Sequence, residues 1–274
     1  MYKVSLVPML LLSMLVSAAN AQVTVTELPA ARAVVDATGF EGTVLVYDLH
    51  NHVYMAGHAE HIDDIFLPAS TFKIFSALVS LETGAIADRH AVIKWDGVVR
   101  GRTELNTDLD LQSAFRLSAV PHFQYLVKRV GAERMQEFIN SAGYGNRDIS
   151  GGLDTFWLTG GLRISPRQQV ALLARLYNGD LPFSDAAMSA VRDMMVTEET
   201  PDYTIRAKTG WATLDNGDNT GWWVGWVEKG PDVFIFASVL HANSPDDSFG
   251  PARLSVVRDV LGQLGVISQP PAGD

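Results

Sequence analysis

The 274-residue sequence contains no cysteine. We therefore expect neither a disulfide framework nor a lipid anchor carried on a cysteine. Basic residues are few, since 21 lysines and arginines stand against 31 aspartates and glutamates, a formal net charge of −10. This charge predicts no nucleic-acid partner and no binding to an anionic membrane surface. An anionic small molecule stays compatible with it, because such a substrate needs only a local basic pocket.

Long apolar runs are also missing, apart from a short one near the beginning of the chain. Lys3 precedes an apolar stretch over residues 4–16, and the small residues Ala19-Asn20-Ala21 follow it. This order is typical of a secretory signal peptide, and the stretch is shorter than the roughly 20 residues that span a bilayer. We expect residues 1–21 to be a signal peptide cleaved after Ala21, and the mature protein to be periplasmic without a membrane anchor.

Without cysteine, histidine and carboxylate side chains are the main candidate metal ligands. Four of the seven histidines lie close together in the sequence: His50, His52, His58 and His61. They are interleaved with residues typical of a hairpin and its exit loop, so we interpret them as surface histidines. We predict no metal site and no organic cofactor.

The distribution of apolar residues predicts strands at both ends of the chain and helices between them. Strands are predicted at 43–47, 53–55, 203–208, 221–228 and 233–240, and helices at 31–37, 70–82, 121–130, 132–142 and 251–265, with two more starting at Ser165 and Ser184. The strand at 221–228 is apolar on both faces, which indicates helices on both sides of it. We predict an α/β fold of mixed α+β type, in which an antiparallel sheet from both chain ends carries helices on both faces and an inserted helical subdomain.

Residues 22–274 are predicted to form a single catalytic domain. Its sheet subdomain would take residues of about 22–66 and 201–268, and its helical subdomain residues of about 67–200. Clefts in such folds lie where the two parts meet. Ser70, which opens a helix after the first hairpin, is expected to stand there.

Ser70 and Lys73 are the first candidate catalytic pair. Three residues apart at a helix start, they share one face of the helix, so the lysine amine can accept the serine proton. The helix start adds unpaired backbone N–H groups and a positive dipole end. The same spacing also arises by chance, as a helix cap followed by a solvated lysine. The pair therefore needs support from other parts of the chain.

Lys208-Thr209-Gly210 and Arg253 are two further candidates. We predict that a strand ends at this tripeptide, with Lys208 and Gly210 on one face and room for a substrate beside the glycine. An ordinary edge-strand lysine is the alternative for Lys208. Arg253 is a cation at the start of the last predicted helix, where the helix dipole disfavours it. We therefore expect Arg253 to have an anionic partner in the cleft.

Five motifs follow one another in a fixed order. They are SxxK at Ser70, SxV at Ser118, YGN at Tyr144, FWLxxxLxIS at Phe156 and KTG at Lys208. In this order the motifs closely resemble the class D serine β-lactamases, the oxacillinase type. Trp211, the run Gly221-Trp222-Trp223-Val224-Gly225-Trp226 and Pro251-Ala252-Arg253 extend the resemblance over nearly the whole mature chain. It implies the fold shared by serine β-lactamases and penicillin-binding-protein transpeptidases.

The resemblance also implies a reaction. Ser70 would attack a β-lactam carbonyl, and water would then release the acyl group, giving antibiotic resistance. Lys73 would carry CO₂ as a carbamate (N6-carboxylysine) and act as general base in both steps. Burial fits this role, because it disfavours the ammonium form of the lysine. Trp157 would hold the carbamate through its indole N–H, with Val120 among the apolar neighbours.

The same resemblance assigns the remaining residues to substrate handling. Ser118 would pass a proton to the leaving nitrogen, assisted by the charge of Lys208. Thr209 and Arg253 would bind the substrate carboxylate beside Gly210, the arginine by its planar fork. Backbone N–H groups of Ser70 and Trp211 would form the oxyanion hole.

Three alternatives stay open at this point. Penicillin-binding transpeptidases, carboxypeptidases and β-lactam sensor domains share SxxK and KTG, but they typically carry an asparagine where this chain has Val120. Class A β-lactamases match less well, because residues 147–170 contain no glutamate to activate the deacylating water. A binding protein that is acylated once and stops is the third alternative. The substrate spectrum and the choice between monomer and homodimer also stay open.

Overall fold

A seven-stranded sheet joins the two ends of the chain in the computed structural model, which describes residues 24–268. The helices and strands, in chain order, are β1 (Val25–Glu27), α1 (Pro29–Asp36), β2 (Glu41–Asp48), β3 (Val53–Gly57), α2 (Phe72–Glu82), β4 (Val92–Ile93), β5 (Leu109–Asp110), α3 (Leu111–Arg116), α4 (Val120–Val130), α5 (Ala132–Ala142), α6 (Pro166–Asn178), α7 (Asp185–Met194), β6 (Val196–Glu199), β7 (Thr204–Thr213), β8 (Asp218–Lys229), β9 (Asp232–Asn243) and α8 (Phe249–Gln263). Short 3-10 turns occupy Ala59–His61, Ala69–Thr71 and Thr103–Leu105.

Helices cover both faces of the sheet, whose strand order is β1-β3-β2-β9-β8-β7-β6. Trp222 and Trp226 of β8 pack into the core that contains α2, α4 and α6, whereas Trp223 packs into the core formed with α1 and α8. A strand buried on both faces needs apolar residues at successive positions, which is the pattern at 221–228. The predicted fold class is confirmed.

Tertiary pairing changes the predicted strands in three places. β7 does not end at Lys208-Thr209-Gly210 but continues to Thr213. The reason is that residues 209–213 pair with β8, from Trp223 to Asn219. That prediction was wrong, since local apolar pattern does not report a partner strand. β1 and β6 were not predicted at all, because each is a strand of only three or four residues. β1 is also parallel to β3, in a sheet that is otherwise antiparallel.

Helix starts follow the capping residues closely. The Ser165 side chain accepts from the Gln168 N–H and the Gln168 side chain accepts from the Ser165 N–H, a capping box with Pro166 in the first turn. α2, by contrast, begins at Phe72, because residues before it form the 3-10 turn. Within residues 24–268 no helix is long and apolar enough to cross a bilayer. The predicted signal peptide lies outside the described residues, and the subdomain boundaries stay predictions.

Candidate active site

The turn that carries Ser70 is held from two sides. Ala69 has a left-handed backbone with φ of 48°, a conformation that costs energy in a residue with a side chain. Its N–H donates to the Trp157 carbonyl over 3.0 Å. On the other side, Gln169 Nε2 donates to Thr71 Oγ1 over 2.8 Å. These contacts place Ser70, which is partly exposed, at a defined position in front of α2.

Lys73 follows Ser70 by one helical turn, and its side chain lies in the core. Its Nζ is 2.7 Å from Ser70 Oγ, and the residue is fully buried. The Phe123 ring is 5.6 Å from the same Nζ. Burial lowers the pKa of Lys73 well below its usual value, and the charges of Lys208 and Arg102 lower it further. The amine is therefore biased toward the neutral form that can accept a proton.

Trp157 adds an unpartnered polar atom beside this helix. Its ring stacks on Phe72 with centroids 5.4 Å apart and planes inclined by 26°. The indole Nε1 is buried and has no hydrogen-bond partner in the part of the chain that the structure describes. A buried N–H without an acceptor is costly, so it marks a place where an acceptor is missing.

Lys208 and Ser118 form a second lysine–serine pair. Lys208 Nζ donates to Ser118 Oγ over 3.1 Å and to the Thr209 carbonyl over 3.1 Å. Burial, followed by the charges of Arg253 and Arg102, lowers the pKa of Lys208 to about 7. Ser118 lies between α3 and α4 with φ of 54°, a second left-handed non-glycine residue. Two residues 90 positions apart in the sequence are thus in contact.

Gly210 packs closely against the turn that carries Ser70. A Cβ at this position would lie 3.1 Å from the Pro68 carbonyl oxygen and 3.1 Å from Thr71 Cγ2, so the turn would have to move by a few tenths of an ångström. The turn fills the space on the Cβ side of the glycine, and the substrate contact of Gly210 stays a prediction. β6 pairs with β7 only as far as Arg206, so the edge of β7 beside Lys208 has no neighbouring strand among the described residues.

Gly210→Ala is expected to lower kcat/KM about tenfold, because moving the Ser70 turn by a few tenths of an ångström disturbs the alignment that acyl transfer needs. The measurement is the steady-state rate, for the two proteins, of the β-lactam hydrolysis that the motif resemblance implies. Gly101→Ala is the matched control, since a Cβ there meets nothing within 4 Å. Equal kcat/KM for Gly210→Ala and the wild type would contradict this role.

Arg253 is the fifth residue of α8 and lies in its second turn, because the helix begins at Phe249 rather than at the predicted Pro251. Its Nη1 donates to the Gly210 carbonyl over 2.8 Å, and its guanidinium carbon is 4.6 Å from the centroid of the Trp211 ring. Burial lowers its pKa. No carboxylate within residues 24–268 forms an ion pair with it, so the expected anionic partner is not supplied by the described chain.

Comparison with known proteins identifies the family. The sequence profile of the penicillin binding protein transpeptidase domain matches residues 42–262. The chain is 43% identical to β-lactamase OXA-5 of Pseudomonas aeruginosa over 212 residues, which are 77% of this chain and 79% of that protein. It is 37% identical to β-lactamase OXA-48 of Klebsiella pneumoniae over 227 residues, 83% of this chain and 84% of that protein.

Solved structures agree with this. The class D β-lactamase YbXI from Nostoc superposes with a TM-score of 0.83 at 40% identity, covering 86% of this chain and 99% of that one. FUS-1 (OXA-85), a class D β-lactamase from Fusobacterium nucleatum subsp. polymorphum, gives a TM-score of 0.85 at 34% identity, with 89% and 100% covered. The chain belongs to the class D β-lactamases. The family suggested by the motif order is confirmed, and the protein is a hydrolase of that class.

Two residues near Lys73 and Lys208 of this class D β-lactamase were missed in the sequence. Phe123, whose ring faces Lys73, lies three positions after Val120 at the start of α4, so helical spacing from the SxV motif could have found it. Arg102 gave no signal, because it lies in a polar stretch without periodicity. Its Nη2 donates to the Leu117 carbonyl over 3.0 Å, next to Ser118.

The histidine cluster after β3 is held by hydrogen bonds and by the ion pair of Arg32 with Glu60. Ligand atoms of His58, Glu60 and His61 lie within 4.8 Å of one another. However, His58 Nδ1 is 2.9 Å from an Arg32 guanidinium nitrogen, and His58 Nε2 is 2.8 Å from an Asp36 carboxylate oxygen. Both ring nitrogens therefore have partners, and the arginine charge disfavours a metal cation there.

Proposed function

We propose that this class D enzyme opens the β-lactam ring of penicillins and cephalosporins through a Ser70 acyl-enzyme, and that it protects its host against them. The observation that carries the proposal is the 2.7 Å contact between Ser70 Oγ and the amine of a fully buried lysine. In acylation, the new bond joins Ser70 Oγ to the carbonyl carbon while the lactam C–N bond breaks. In deacylation, water cleaves the ester and restores the serine.

Lys73 is proposed to act as the N6-carboxylated residue. Two observations support this: the pKa of Lys73 is lowered, which provides the neutral amine that CO₂ requires, and the buried Trp157 N–H lacks an acceptor. Carboxylation supplies a carboxylate oxygen that can accept the Ser70 proton and, later, a proton from water. Phe123 and Trp157 limit the access of bulk water to this side chain.

The remaining site residues are proposed to protonate the leaving nitrogen and to bind the substrate carboxylate. Ser118 donates a proton to the lactam nitrogen, and the Lys208 hydrogen bond holds its hydroxyl in place. Thr209 and Arg253 bind the substrate carboxylate, which supplies the anion that Arg253 lacks. The Ser70 and Trp211 N–H groups stabilise the oxyanion.

Turnover tests the function directly. The mature protein is expected to hydrolyse a chromogenic cephalosporin over many cycles, and expression in a susceptible host should raise the tolerated penicillin concentration. Wild-type protein and Ser70→Ala are compared, and the variant should show no hydrolysis above background. A single stoichiometric burst would instead indicate an acylated binding protein.

The pH dependence of kcat/KM should distinguish the contribution of Lys73 from that of Lys208. Carbamate formation at Lys73 releases protons, so a higher CO₂ concentration should move the acid limb to lower pH. Lys208, with a pKa of about 7, loses its charge as pH rises, so the alkaline limb should stay fixed. The profile is measured at two bicarbonate concentrations. An acid limb that does not move would refute carboxylation.

A further inference from the structure

Asn219 lies outside the motifs, yet it is buried, with 6% exposed, as the second residue of β8, directly after the turn that joins β7 to β8. Its Oδ1 accepts from Trp211 Nε1 and from Thr213 Oγ1, each over 2.7 Å. Its Nδ2 donates to the Gly217 carbonyl over 2.9 Å. An amide with three partners has one favourable orientation, so it fixes the edge of the Trp211 ring.

The Trp211 ring in turn lies against the Arg253 guanidinium. The guanidinium carbon is 4.6 Å from the ring centroid, within the range of a cation–π contact. Phe249 packs against the same indole, with centroids 5.3 Å apart. The indole is 42% exposed, so without the Asn219 hydrogen bond its outer edge would be free to turn.

Two backbone hydrogen bonds also hold the Arg253 side chain in position. Its Nε donates to the Gly250 carbonyl over 3.1 Å and its Nη1 to the Gly210 carbonyl over 2.8 Å. Its stem lies over Gly221, where a Cβ would come within 2.8 Å of Arg253 Cγ. Nη2 donates to no acceptor within residues 24–268. One guanidinium nitrogen is thus left available to an anion.

We infer that Asn219 is a positioning residue for substrate binding: by fixing the Trp211 ring, it holds Arg253 with Nη2 directed at the substrate carboxylate. The inference rests on the proposed function, in which Arg253 binds that carboxylate. Asn219 touches neither the substrate nor the reacting atoms, so its effect should fall on KM more than on kcat.

Asn219→Ala is expected to raise KM for benzylpenicillin about three- to tenfold, because, of its three lost hydrogen bonds, only the one to Trp211 bears on Arg253, while kcat changes less than twofold. Trp211→Phe removes the donor of the same bond. The KM of the double variant should therefore not exceed the higher KM of the two single variants, because both changes remove the same hydrogen bond between Asn219 and Trp211. With benzylpenicillin methyl ester, which has no carboxylate, Asn219→Ala should match the wild type.

Asn243→Ala is the matched control. Its Nδ2 donates to the Asn216 carbonyl and to Asp218 Oδ1 in the same hairpin, without contact to the indole. This variant should keep the wild-type KM. Equal KM increases in Asn243→Ala and Asn219→Ala, additive effects in the double variant, or an unchanged KM in Asn219→Ala would each overturn the inference while leaving the proposed function intact. A wild type without turnover would refute the proposed function itself, and the inference with it.

Discussion

Lys73→Ala should lower kcat by about 10³- to 10⁴-fold, the loss expected when an enzyme is deprived of its general base. The variant keeps the Ser70 hydroxyl, so slow acylation by a reactive β-lactam is still expected. Deacylation needs an activated water and should stop. Incubation with benzylpenicillin should therefore produce an acyl-enzyme that persists, detected by intact-protein mass spectrometry as a stoichiometric mass increase.

Folding must be separated from catalysis in this experiment, because Lys73 is fully buried and alanine leaves a cavity. Lys73→Met fills most of that space and removes the base equally, so both variants should show the same trapped acyl-enzyme. Lys94→Ala, which replaces a lysine whose side chain is 80% exposed, should behave as the wild type. Full turnover by Lys73→Met would exclude Lys73 as the base.

The elements predicted best from the sequence are those whose ends are marked by capping residues or glycines. Helix α5 was predicted with its observed ends, and the starts of α6 and α7 follow the caps Ser165 and Ser184. β1 and β6 were missed because strands of three or four residues are too short to show an apolar pattern of their own. The end of β7 was misplaced because its last residues are fixed by pairing with β8 across the hairpin. The first hairpin was predicted, and β2 does pair with β3 in antiparallel fashion, whereas the parallel pairing of β1 with β3 was not predicted.

The candidate catalytic residues were found by two kinds of signal, spacing and resemblance. Ser70 and Lys73 are one helical turn apart, so spacing alone suggested their contact, whereas the contact of Lys208 with Ser118 joins elements 90 positions apart and came only from the resemblance. The close approach of Gly210 to the Pro68 carbonyl could not be predicted from the sequence, because it depends on how the turn packs. The proximity of Arg102 to the two lysines could be seen only in the folded structure.

Trp157→Phe is expected to lower kcat about 10- to 100-fold, the range for loss of a hydrogen bond to a charged group, and added bicarbonate should restore part of the activity. Phenylalanine preserves the stacking on Phe72 but removes the N–H that would hold the Lys73 carbamate. With less CO₂ bound at a given concentration, a larger share of molecules lacks the base. Hydrolysis rates across a bicarbonate titration measure this.

Trp222→Phe is the control that separates this effect from damage to the core. Trp222 is also fully buried, but its Nε1 donates to the Leu67 carbonyl over 2.8 Å, whereas the Trp157 N–H has no acceptor within residues 24–268. Trp222→Phe should therefore lower the free energy of unfolding by about 1–3 kcal/mol, because it leaves a buried carbonyl unpaired, without changing the bicarbonate dependence. Trp157→Phe leaves no acceptor unpaired in the protein without CO₂, so its activity should fall further than its stability. Equal bicarbonate dependence in the two variants would mean that Trp157 serves packing alone.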